Sequence, residues 1–246
     1  MATVDRDQRV ATLRREAAAI AHTAHQGTAA EVPNCPGWTV ADLLAHLTNL
    51  YRGVAELVRT TAEERRDHWP PKQFIDRTDP SLIEQFEACA WELEAVLAPL
   101  RPDKPVWSFT RDRTAGFWQR RMAVETSVHR SDIAPGAIDP ELARDGVDEL
   151  LELFARGLRR ASQVPATGER YHFHRTDGDG EWFVELEPGE ERGVNVRREH
   201  AKGDVAIRGT AEDLLLFLWH RPVVERLDVH GDTSLLDRWF VLLPPM

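Results

Sequence analysis

The period of the apolar residues changes after the first two thirds of this chain, and that change limits the fold more than any single residue does. Up to about residue 161 apolar positions recur every three or four residues; from about residue 168 to about residue 209 they alternate in short runs broken by Gly, Asp and Pro. The first pattern buries one stripe of a helix, the second one face of a strand. A chain of 246 residues is long enough for two modest cores. The expected fold class is therefore mixed, with a helical domain over residues 1–162 and a small α+β domain with an antiparallel sheet over residues 168–246.

The helical half can be divided from its caps. Between about Asp5 and His25, Val10, Leu13, Ala17, Ile20 and Ala24 share a stripe that ends at Gly27, a suitable C-cap. The next helix has fuller start signals, with Thr39 as N-cap, Asp42 at the third position of a capping box, and Trp38 and Leu43 at the staple positions. A long polar connection containing Pro70 and Pro71 precedes Asp79-Pro80, which reads as an N-cap followed by proline at the first helical position. Leu82, Phe86, Cys89, Leu93 and Leu97 carry that third helix to near Pro99, and residues from about Gly116 to Ile133 supply a fourth. Four antiparallel helices make a bundle, an architecture that builds metal sites from inward-facing side chains.

A further helix is expected from about Pro140 to Ala161, on Val147, Leu150, Leu151, Phe154 and Leu158. Beyond the change of period, YHFHR, EWFVELEP, GVNVRRE and GDVAIRG read as antiparallel strands. Thr210 and Asp213 form a capping pair for the apolar LLLFLW, LDVHGD reads as a last strand or turn, and SLLDRWFVLL as a final helix.

Three residues of the helical half have the chemistry of a metal site. His46 falls among Leu43, Leu47 and Leu50 on the buried stripe of the second helix, while Glu125 and His129 lie four positions apart on one face of the fourth. Each has an ordinary role when taken alone, His46 as a half-buried histidine and the Glu–His pair as a helix-stabilising contact. Together, three protein ligands would leave a zinc-like ion with an open position, as in catalytic sites. Asp132, one turn beyond His129, is placed to orient that imidazole or to act as a helix-end charge.

Other candidates have simpler readings. His172 and His174 alternate on a strand and share a face, but no third ligand is in view and a solvent-facing pair is expected. Arg120, Arg121 and Arg130 read as solvent-facing helix charges, and Cys35, without an evident histidine partner, as structural. Arg221 follows an apolar helix and precedes a proline, which places it at a helix end.

The formal net charge of −10 argues against a general affinity for nucleic acid. No apolar run is long enough to span a bilayer, and MATVDRDQRV lacks the apolar stretch of a signal peptide, so a cytoplasmic location is expected. Cys35 and Cys89 are too few for a disulfide framework. Only Lys72, Lys104 and Lys202 among the 31 basic residues are lysines, a bias typical of high-GC genomes.

Three stretches, CPGWTVADLLAHL, FWQRRMAVETSVHRSD and GDVAIRGTAEDLLLFLWHR, make the chain resemble the actinobacterial, mycothiol-dependent maleylpyruvate isomerase family of DinB-like metal-binding bundles. The resemblance runs over essentially the whole chain. It implies zinc, or another divalent metal, held by His46, Glu125 and His129, with mycothiol as the thiol cosubstrate and Arg221 as the functional arginine of the C-terminal domain. Relatives often have histidine just before the glutamate, where this chain has Val124. The implied activity is metal-assisted addition of mycothiol to a small electrophile, as cis–trans isomerisation or S-transfer. The alternatives are a non-catalytic metal-binding stress or regulatory protein, and a structural bundle with polar core residues.

Overall fold

The computed structural model describes residues 4–60, 75–155, 164–189 and 193–244. The chain divides into two compact units, Met1–Ile138 and Asp139–Met246. Among the described residues no helix is long and apolar enough to cross a membrane.

The first unit is built from α1 (Arg6–Ala24), α2 (Val40–Arg59), α3 (Leu82–Leu97) and α4 (Ala115–Ile133). Two of these begin with reciprocal caps, which satisfy backbone donors that a helix start leaves unpaired. Asp5 accepts from the Gln8 amide at 2.8 Å while Gln8 accepts from the Asp5 amide at 3.1 Å. Thr39 and Asp42 make the same exchange at 3.3 and 2.9 Å, as expected, and this fixes the first turn of the helix that carries His46. The third helix starts later than its sequence suggests. Asp79 uses one oxygen to accept from both the amide and the hydroxyl of Ser81, so Ser81 becomes the N-cap and makes no side-chain cap bond of its own. The connection containing Pro70 and Pro71 lies outside the described residues.

Helix α1 packs on α3 and α4, and α2 packs on α3 and α4. Ile20, Leu43, Leu47, Phe86, Leu93 and Trp118 are completely buried between them. None of the three arginines expected at the surface is fully exposed, and Arg130 is 3% exposed. It donates to the Glu16 carboxylate at 2.5 Å and to the Ala137 carbonyl at 3.0 Å, so it closes the end of α4 from inside the protein.

The second unit contains α5 (Pro140–Ala155), β1 (Arg170–Arg175), β2 (Glu181–Leu186), β3 (Val194–Arg197), β4 (Val205–Gly209), α6 (Ala211–Leu218), β5 (Asp228–Gly231) and α7 (Ser234–Leu242). Its five strands run in the order β3-β2-β1-β4-β5. The sheet is mixed rather than wholly antiparallel, because β1 and β4 pair in parallel, Tyr171 opposite Val205 through Arg175 opposite Gly209. Alternating residues mark a strand with one buried face; they carry nothing about the direction of its neighbour.

Helix α5 was expected to extend the bundle and instead packs on α6 and β3. Its Asp148 accepts from the Trp182 indole at 2.7 Å, and Phe154 meets Trp239 edge to face with centroids 6.0 Å apart. A helical period identifies the apolar stripe of α5 but not the surface that covers it. The division between units therefore falls at Ile138 and Asp139, ahead of α5, and not at residues 162–168 where the change of period suggests it. Residues 156–163, which include the expected end of this helix, lie outside the described residues.

One backbone position in this unit carries a pH dependence. His220 ends α6 with φ of 61°, the left-handed region, and its ring donates to the Leu243 carbonyl at 2.8 Å. Burial pushes its pKa below the ordinary histidine value; the Leu243 carbonyl opposes this and Arg221 adds to it. The folded state thus favours the neutral ring, while the unfolded chain takes up a proton near pH 6.5. Stability from this group is present above that pH and is lost as pH falls through it. Urea titrations at about pH 7.5 and about pH 5.5 should show a smaller loss in His220→Asn, which tolerates the backbone, than in the unaltered protein. Equal losses would remove His220 as the cause.

Candidate metal centre

A tight loop and two helices form the site. Between α1 and α2 the chain folds back on itself, Val32 donating to the Trp38 carbonyl at 2.9 Å and Trp38 to that of Cys35 at 2.9 Å. Gly37 takes the positive φ of 82° that this return needs. The loop brings Cys35 and Trp38 against α4. The Trp38 ring lies 5.2 Å from that of His46 and 6.1 Å from that of His129, nearly parallel to the latter. The sequence suggested only a staple role for Trp38.

His46 from α2 and Glu125 and His129 from α4 come together as expected. Glu125 Oε1 is 3.2 Å from His46 Nε2 and 3.5 Å from His129 Nε2, and the three candidate ligand atoms lie within 4.8 Å of one another. These separations match the edges, about 3.3–3.5 Å, of a tetrahedron with bonds of zinc–nitrogen length. The donor set, two imidazoles and a carboxylate, also fits zinc or a similar divalent ion. Glu125 and His129 are buried, while the His46 side chain is 38% exposed. The site is therefore open on the α2 side.

The surrounding charges suit a cation. Burial would raise the Glu125 pKa, but Arg121 and then His129 and His46 outweigh it and hold the carboxyl well below the usual range. Arg121 pairs with Oε2, which leaves Oε1 to the histidines. Burial would lower the His129 pKa, yet Asp132, Cys35 and Glu125 push it up to about 10. Asp132 does what its spacing suggested, its Oδ2 standing 3.1 Å from His129 Nδ1. The same oxygen accepts from Cys35 Sγ at 3.4 Å, so Cys35 has a histidine and a carboxylate beside it that its sequence position did not reveal. Because an outer carboxylate fixes the tautomer and orientation of a ligating imidazole, Asp132→Asn should weaken divalent-metal binding roughly 10–100-fold. Competition with a chelating indicator would measure it, and an unchanged affinity would exclude this role.

The remaining candidates lie in the second unit. Arg221 follows α6, donates to the Trp219 carbonyl at 2.9 Å, and stands over the Trp219 ring at 5.8 Å. His172 and His174 are not a pair open to solvent: His172 is buried, and both rings face Glu181. Arg121 could have been found from sequence, since it sits four residues before Glu125. Trp38 and Cys35 could not, because a loop has no period from which to read its direction.

Comparison with known proteins places this chain in a family. Residues 9–134 match the model described as the mycothiol maleylpyruvate isomerase N-terminal domain, and residues 141–238 match the C-terminal domain of the same family. No curated protein matches. Among solved structures, the chain is similar to a crystal structure of the mycothiol-dependent maleylpyruvate isomerase, with 15% identity, a TM-score of 0.64, and coverage of 93% of this chain and 95% of that one. A histidine-to-alanine mutant of that enzyme matches with the same identity and coverage and a TM-score of 0.63. With both of its units matched in order, the chain belongs to the mycothiol maleylpyruvate isomerase family.

Proposed function

We propose that the protein is an enzyme that adds mycothiol to a small electrophile, by cis–trans isomerisation of the maleylpyruvate type or by S-transfer. The observation that carries this reading is the meeting of His46, Glu125 Oε1 and His129 at one point, in a chain of this family. His46, Glu125 and His129 would hold zinc or another divalent ion. When bound, such an ion lowers the pKa of a coordinated thiol, supplying a nucleophile at neutral pH.

The chain's own residues prepare for that chemistry. With Nδ1 donating to Asp132, His129 would turn Nε2 to the ion as a lone pair once the ion displaces the proton that the ring carries without it. Arg121 balances the second Glu125 oxygen, so the centre keeps positive charge and favours an anionic sulfur. Trp38 covers one side of both imidazoles, and the exposed flank of His46 is the route for thiol and substrate. Arg221 is assigned to a substrate carboxylate through paired hydrogen bonds, on the strength of the family resemblance at LWHR.

The test uses zinc-loaded protein with mycothiol and either maleylpyruvate or a generic thiol-reactive electrophile. Product formation that requires the thiol and is lost in His46→Ala is the expected outcome. Retention of metal and mycothiol without turnover of any electrophile would sink the enzymatic reading in favour of a metal-binding regulatory protein.

A further inference from the structure

We propose that the sheet of the second unit carries another divalent-cation site, of zinc type, formed by His172, His174, Glu181 and His200. It does not rest on the proposed function, and it draws on different residues. Three successive pieces of chain deliver its donors. His172 and His174 are two apart on β1 and share a face, and Glu181 on β2 lies directly opposite His174 in the ladder. His200 follows β3, the neighbour of β2 on its other side.

The side chains converge on one carboxylate. Glu181 Oε1 is 2.6 Å from His174 Nδ1 and 3.2 Å from His200 Nδ1, while Oε2 bonds to His172 Nε2. All four candidate ligand atoms lie within 4.8 Å of one another. The rings of His172 and His200 meet edge to face with centroids 4.8 Å apart. Each ring offers its facing nitrogen as a lone pair once the proton sits on the other nitrogen, and Glu181 then changes from hydrogen-bond acceptor to ligand.

The placement is not one that the core requires. Tyr171 and Phe173 point to the opposite face, where they meet Trp239 of α7 at 4.8 and 5.1 Å between centroids. Trp182 joins them there, its indole bonded to Asp148 of α5. Apolar burial therefore accounts for that face and leaves the histidines unexplained. Three imidazoles and one carboxylate suit zinc and exclude calcium and magnesium, which take oxygen donors. Four protein ligands make a closed site, structural rather than catalytic, that would tie the segment after β3 to β1 and β2.

Metal counting on the full chain tests this. After loading with zinc and dialysis, the unaltered protein should hold two ions per chain, His46→Ala one, His174→Ala one, and the double variant none. His200→Ala, at an exposed position, gives the same count as His174→Ala if loss of His174 disturbs the sheet. Zinc should also raise the melting temperature of His46→Ala and leave that of the double variant unchanged. One ion per chain in the unaltered protein, with none in His46→Ala, would overturn the site.

Discussion

Replacing His129 by alanine should abolish thiol-dependent turnover and lower divalent-metal affinity by at least about a hundredfold, the upper end of what loss of an outer partner costs a metal site. The expectation is large because His129 is involved in every layer of the centre. Its Nε2 is one of the three candidate ligand atoms, and its Nδ1 engages Asp132. Its ring lies 5.1 Å from that of His46 and is covered by Trp38. Truncation removes a candidate ligand and leaves two buried carboxylates, Glu125 and Asp132, each short of a partner. The same variant could disturb α4, so far-UV circular dichroism and His129→Gln, which keeps a polar side chain of similar reach, accompany the metal titration. A folded His129→Ala protein with metal affinity within tenfold of the original would remove His129 from the ligand set.

Replacing Arg130 by methionine should cost about 3 kcal/mol, the lower end of the range for removing one partner of a buried ion pair. The side chains of Arg130 and Glu16 are 4% and 7% exposed, and the guanidinium also serves carbonyls after the end of α4. Loss of the cation leaves Glu16 buried. The figure lies at the lower end because Arg15, on the same helix, stands 2.8 Å from Glu16 and still compensates it. In a protein of this size the loss corresponds to a fall in melting temperature of roughly 6–12 °C. Removing both charges with Glu16→Leu and Arg130→Met should be milder than the single change, since no buried charge is then left alone. A single variant that melts within about 2 °C of the original would show that the pair contributes little.

What could be read from the sequence follows from which interactions are local. The starts of α2 and α6 are written in side chains three residues apart, and the structure has them at Thr39 and Thr210. The same locality put Glu125 and His129 on one face of α4, and His46 could be added because a bundle gives α2 and α4 reason to meet. Non-local choices were hidden. Nothing in the stripe of α5 says that it will pack on β3 and α6, nothing in VAIRG says that β4 will run parallel to β1, and nothing in YHFHR announces Glu181 and His200. Arg130 was misread because a charge between apolar residues usually marks the wet side of a helix, whereas here Glu16 on α1 gives it a buried partner.

The parallel pairing of β1 with β4 has a consequence for how the chain is made. As synthesis proceeds, β1 can pair with β2 and β2 with β3 by short returns, but the other edge of β1 stays bare until β4 emerges. That edge is the middle of the finished sheet, with Tyr171 and Phe173 on it and neither buried by α7 until the last helix arrives. A nascent chain that has left the ribosomal tunnel only as far as the stretch between Arg197 and Val205 would thus hold out an apolar, half-paired strand, the species most open to pairing with another nascent chain.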